Sequence, residues 1–173
     1  MNTEHALDIA LLLLRLGVGL TLFAHGAQKL FGWFGGAGLA ATGQGFASMG
    51  FRPGTLNALL AGLGEAGGGL LLAVGLLTPL GGAVAAATML VASSTHIGAG
   101  FFNSKGGFEF PVTLGIAAIA LTISGPGQYS IDHAIDYPLD SPWAGVTALV
   151  VGAVLALALI ARRRASTKAD SAR

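Results

Sequence analysis

Five stretches of this chain are almost free of polar residues: positions 8–30, 56–77, 80–102, 110–124 and 143–161. About 20 mostly apolar residues make a helix long enough to cross a bilayer. The pattern therefore predicts an all-α, polytopic membrane helix bundle with five spans. The fourth is short and the fifth carries no ionisable residue. Spans two and three are joined only by "LTPLGG", a tight turn in which Pro79 cannot continue a helix. The connection "FGWFGGAGLAATGQGFASMGFRPG", rich in glycine and aromatic residues, reads as a short helix or re-entrant piece in the interface, with Trp33 and Phe34 at headgroup depth. Residues 1–161 form a single membrane domain. The basic tail "RRRASTKADSAR" (162–173) is expected to be disordered. No internal repeat stands out.

Composition supports this reading. Of 173 residues, 53% are hydrophobic and 10% charged, against about 25% charged in a soluble domain. So few charges cannot cover a water-facing surface, so membrane lipid is the expected surrounding. The 28 glycines suit helices that approach one another closely. The absence of cysteine removes disulfides, thiolate metal sites and thiol relays from this chain. No metal site is expected, and nothing points to nucleic acid. The start, "MNTEHALD", lacks the basic region of a signal peptide, so the first span is expected to be retained.

Charge sets an expected orientation. With five spans, Lys29, Arg52, Lys105, Arg162, Arg163, Arg164, Lys168 and Arg173 fall on one side, while Glu4, Asp132, Asp136 and Asp140 fall on the other. The positive-inside rule then puts the N-terminus outside and the C-terminus in the cytoplasm, in a cytoplasmic (plasma) membrane of bacterial type.

Ionisable residues within spans are costly and mark candidate function. Here they are Arg15, His25, Lys29, Glu65, His96 and Glu109. From the inner helix ends, His25 lies roughly 8 Å deep, Glu65 roughly 14 Å and His96 roughly 9 Å, with Glu109 at the mouth of the fourth span. Four helices thus bring polar groups to one half of the membrane. His25 and Lys29 are four residues apart and share a face. A carboxylate such as Glu65 beside them can neutralise Lys29 or hydrogen-bond either histidine, giving a proton-competent pocket. Leu22, Phe23, Leu63 and Leu72 are the expected apolar lining. Lys29 also has the plain reading of a lysine snorkelling to the headgroups. Glu109 can simply face a helix dipole. Arg15 is expected to snorkel outward or to hydrogen-bond backbone carbonyls. The glycines of "GLGEAGGG" leave room beside Glu65 for a neighbour or a ligand.

The stretches "LLRLGVGLTLFAHGAQKLFG", "GLGEAGGGLLLAVGLLTPLGG", "THIGAGFF" with "FEFPVTL", and "GPGQYSIDH" resemble the DoxX family of small membrane proteins, over about residues 13–133. The resemblance implies a four-helix bundle, to which the fifth span is an addition. It also implies association with membrane oxidoreductase assemblies, since the family takes its name from a subunit of a thiosulfate:quinone oxidoreductase. His25, Lys29, Glu65, His96 and Glu109 stand where the family pattern is polar. With no cysteine, direct sulfur chemistry is not expected of this chain.

Two readings follow. In one, the chain is the quinone-handling subunit of a redox complex. A quinone site needs an apolar slot, hydrogen-bond donors and a proton route. His25, Lys29, Glu65, His96 and Glu109 would bind the quinone, and Glu65, His25 and His96 would serve catalysis. In the other, the chain is a non-catalytic scaffold whose buried charges fix helix register and whose partners are assembly proteins or a second copy of itself. A transporter-like or lipid-binding protein would use the same pocket. Haem held by His25 and His96 ranks behind these, because unassigned histidines more often hydrogen-bond.

Overall fold

A computed structural model describes residues 3–138 and 142–171. Among them the chain is helical throughout, with seven α-helices and short 3-10 turns. They are α1 (Thr3–Phe31), α2 (Gly38–Ser48), α3 (Gly54–Val74), α4 (Thr78–His96), α5 (Glu109–Ser124), α6 (Ile131–Ala134) and α7 (Pro142–Ser171). Helices α1, α3, α4 and α7 are long and apolar enough to cross a membrane, and α5 is a shorter apolar helix. These five correspond to the five predicted spans. Large apolar side chains such as Leu13, Leu60, Leu70, Ile116 and Val154 face outward, as a lipid solvent allows. The chain is a multi-pass membrane protein.

Helix α1 lies mainly on α3, while α4 packs on α3, α5 and α7. The α1–α3 seam is built from small residues seven apart: Gly19 and Gly26 on one helix, Gly62 and Gly69 on the other. A Cβ added at Gly19 would fall 2.5 Å from the Gly69 carbonyl oxygen, and one at Gly69 would fall 2.6 Å from that of Gly19. The helices therefore touch backbone to backbone, the gain being dispersion contact and not hydrophobic burial. The room left by the glycines around Glu65 is taken mostly by neighbouring helices. Leu30 fills the space at Gly62, Thr88 that at Gly64 and Gly81 that at Gly68, while Gly67 is open. Val18, Leu22, Leu72, Met89, Leu114 and Leu121 form the main core cluster with small residues between them.

Two elements differ from the expectation, the α3–α4 turn and the C-terminal tail, and a third matches it. The turn between α3 and α4 sits at Gly75–Leu77, so Pro79 lies in the first turn of α4, where a missing N–H costs nothing. The glycine- and aromatic-rich connection after the first span holds the short helix expected there: a 3-10 turn, Trp33–Gly35, is followed by α2, with Trp33 and Phe34 largely exposed. Beyond 161, where the apolar run stops, α7 continues to Ser171. Alanine, arginine and lysine are good helix formers. Arg163 also ties the extension down: its Nε donates to the Met49 carbonyl (2.8 Å), Nη1 donates to that of Ser94 (3.3 Å), and its Cζ lies 5.1 Å from the Phe51 ring centroid. Asp140 and Arg173, part of the expected charge split, lie outside the described residues.

Candidate functional site

The close α1–α3 seam decides where the charges meet. Lys29 follows Gly26 by three residues and Glu65 follows Gly62 by three, so both stand on the seam one turn from a glycine contact. The Lys29 ammonium donates to Glu65 Oε2 at 2.5 Å. It also reaches the His25 carbonyl oxygen at 3.5 Å, at the outer limit of a hydrogen bond. Glu65 is buried, while the Lys29 side chain keeps 25% of its surface exposed. Lys29 is therefore engaged with a carboxylate as well as reaching outward.

The pair forms part of the wall between two cavities. The larger, 280 Å³, is closed by Phe46 of α2 and by Met49 and Phe51 of the turn that follows, with Ala61 and Val91 beside them. Its polar end is Lys29, Glu65 and His96. The hydroxyls of Thr88 and Thr95 bond back to their own helix, to Val84 and Ala92. The smaller cavity, 160 Å³, shares Lys29, Glu65 and His96 and adds His25, Asn103 and Phe110. It reaches the loop between α4 and α5. The His25 ring lies 5.2 Å from that of Phe110, tilted by 56°.

His96 sits at the C-terminus of α4, exposed, with Nδ1 2.8 Å from the Gly106 carbonyl oxygen. A carbonyl only accepts, so Nδ1 carries the proton and Nε2 is the open acceptor of the neutral ring. Glu109 stands apart. It lies in the first turn of α5, and its Oε2 accepts the N–H of Asn103 at 2.9 Å, ordering the loop. It does not line either cavity among the described residues. The apolar lining also differs from the expectation. Leu22 lines the smaller cavity, but Leu63 is 52% exposed and Leu72 is fully buried in the core. Pro111 and Leu114 of α5 take the places expected of them.

A second polar cluster lies at the opposite end of the bundle. Arg15 is fully buried and does not snorkel. Its guanidinium donates to the Tyr129 carbonyl through Nη2, while Nε and Nη1 are buried without a hydrogen-bond partner among the described residues. The Asp132 carboxylate accepts the N–H groups of Leu77 (2.7 Å) and Thr78 (2.8 Å), satisfying the start of α4. Asp8 accepts the N–H of Gln128 at 3.0 Å. Ser130 caps the short α6 by accepting from the His133 N–H. This is the work of "GPGQYSIDH": it ties the loop to α1 and to the α3–α4 turn. Arg15 was visible in the sequence as a charge in a span, but its partner 114 residues away was not.

The model of the DoxX family matches residues 10–98, which is half of the chain. The matched segment runs from α1 to the turn after α4 and contains His25, Lys29, Glu65 and His96. "FEFPVTL", "GPGQYSIDH" and α7 lie beyond it. No curated protein and no solved structure matches the chain.

Proposed function

The chain belongs to the DoxX family of membrane proteins, and from that premise we propose that it is the membrane-embedded, quinone-handling subunit of an oxidoreductase whose electrons come from a partner protein. The observation that carries this reading is the position of the Lys29–Glu65 pair between an apolar, aromatic-walled cavity and a second cavity holding His25. The residues fit a quinone. Phe46, Met49 and Phe51 offer apolar and flat surface, and the hydrogen-bonding groups are gathered at one end. The 280 Å³ of the larger cavity approaches the about 300–1,000 Å³ usual for small-molecule sites.

A quinone accepts two electrons and two protons to become a quinol. Of the three Lys29 donors, one is held by Glu65 and one points to the His25 carbonyl, which leaves a third for an oxygen in the larger cavity. The pair can hand a proton across and be recharged from His25 on the smaller-cavity side or from His96, which lines both cavities. Phe46 of α2 walls the larger cavity, and α2 is preceded by the glycine-rich Gly32–Gly38, which gives a lid its hinge. In the same proposal the membrane is a bacterial-type plasma membrane, with Glu4 on the outer side and Lys168 in the cytoplasm.

The test is the Glu65→Gln variant in membranes carrying the parent complex. Quinone reduction per assembled complex should fall at least tenfold while assembly is preserved. The scaffold reading rests on a different property of the same pair, which clamps α1 to α3 at the glycine seam. It would be supported by normal turnover per complex with assembly alone reduced.

A further inference from the structure

The two cavities that meet at the Lys29–Glu65 pair differ in what their walls can still bond. In the larger, the Thr88 and Thr95 hydroxyls are spent on their own helix. The smaller adds two side chains whose polar atoms have no hydrogen-bond partner among the described residues, the His25 imidazole and the Asn103 amide. They join the open Nε2 of His96 and the third donor of Lys29. These open groups, from α1, α4 and the α4–α5 loop, surround 160 Å³. An enclosed water needs roughly two to four polar partners and takes about 30 Å³ of liquid, so the cavity has the room and the partners for several.

Its mouth follows from exposure. Glu65 is buried and His25 half-buried, whereas His96, at the end of α4, and Asn103, in the loop after it, are exposed. From the end of α1 at Phe31 back to His25 is roughly 9 Å of rise. The loop is closed on itself by its backbone: the Phe108 N–H donates to the Gly100 carbonyl (3.1 Å) and the Glu109 N–H to that of Phe101 (2.8 Å). Two side chains fix the segment that carries Asn103. Glu109 Oε2 accepts the Asn103 N–H at 2.9 Å, and His96 Nδ1 donates to the Gly106 carbonyl at 2.8 Å. Both anchors use backbone groups of the loop, so the Asn103 amide stays free at the cavity.

We infer that the smaller cavity is the proton intake of the site, filled by water that enters between His96 and Asn103, and that Asn103 is the positioning residue for that water. This deepens the quinone reading above and rests on it. Each quinone reduced takes two electrons from the partner redox protein and two protons. The protons pass from water in this cavity through His25 to the pair, and so are drawn from the face that carries Lys105. The opposite end of the bundle holds the buried Arg15, whose fixed positive charge repels protons. Glu109 acts through Asn103, without touching the cavity.

The first measurement uses no quinone. The purified chain is kept in D2O above the titration range of histidine, and exchange of each imidazole C2 hydrogen is read by mass spectrometry, with the exposed His5 and His133 as references. His25 should exchange in the native chain and severalfold more slowly in Asn103→Leu, while the references keep their rates, which also shows that the variant is folded. A His25 that does not exchange in the native chain means a dry cavity and overturns the intake, with the quinone reading intact. Equal exchange in native and Asn103→Leu chains means that water enters elsewhere and overturns the role of Asn103. The second measurement is quinone reduction per assembled complex. Asn103→Leu should lower kcat severalfold at unchanged KM for quinone, and Asn103→Ser, which keeps a polar group at the mouth, should restore most of it. Full turnover in Asn103→Leu despite slowed exchange would overturn the proton role. If the native complex reduces no quinone, the quinone reading itself fails.

Discussion

Arg15 and Gly75 exclude one another's bulk: a side chain at position 75 would occupy the space of the Arg15 guanidinium. Gly75 also ends α3 with φ 66°, the left-handed region that glycine enters without penalty. Both conditions are met by glycine alone. Gly75→Ala is expected to destabilise the fold by about 2–4 kcal/mol, from left-handed strain plus displacement of a buried charge. Thermal unfolding in detergent measures it. Gly67→Ala, at an open position on the same helix, is the control and should be neutral or slightly stabilising.

The two members of the Lys29–Glu65 pair differ in what they can do when left alone. Lys29 is a quarter exposed and can turn to water, whereas Glu65 is buried. Lys29→Met should therefore cost more, about 2–4 kcal/mol, than Glu65→Leu, about 1–2 kcal/mol. The double variant should be more stable than the sum of the two predicts. Glu65→Gln keeps an oxygen for Lys29 and should cost least. Equal costs for the two single changes would mean that Glu65 also reaches water.

Arg163 fastens the extension of α7 to the turn that walls the larger cavity, through Met49 and Phe51. Arg163→Ala should lower stability by about 1–2 kcal/mol through two lost hydrogen bonds, to the Met49 and Ser94 carbonyls, and a lost cation–ring contact. It should also speed hydrogen exchange at residues 49–52. Arg163→Lys keeps the charge but not the planar fork and should restore only part of the protection.

Orientation can be read by labelling introduced cysteines, since the chain has none. Ser130 is a poor position because it is buried and caps α6. Gln128 and Lys168 are exposed on opposite sides of the predicted topology. An impermeant thiol reagent added outside intact cells should modify cysteine at 128 and spare cysteine at 168. The reverse pattern would invert the topology.

The number and place of the spans could be read from the sequence, because a bilayer demands an uninterrupted run of about 20 apolar residues. The interfacial aromatic segment and the residues that carry charge into the membrane could be read for the same reason: each stands out against an apolar background. The sequence also placed Lys29, His25, Glu65 and His96 at one depth, since depth follows from counting residues along hairpin-connected helices. What it could not give is rotation. In water, one face of a helix is polar and the period of 3.6 marks the inside; in lipid both faces are apolar and that mark is lost. Leu63 and Leu72 look alike in sequence, yet one faces lipid and the other is core. Only the packing of Gly19 and Gly26 on Gly62 and Gly69 turns Lys29 onto Glu65. Only the fold of the "GPGQYSIDH" loop over the α3–α4 turn brings the Tyr129 carbonyl to Arg15 and the Asp132 carboxylate to the start of α4. Local hydropathy determined which segments enter the membrane; contacts between residues distant in the chain decided which of their charges meet.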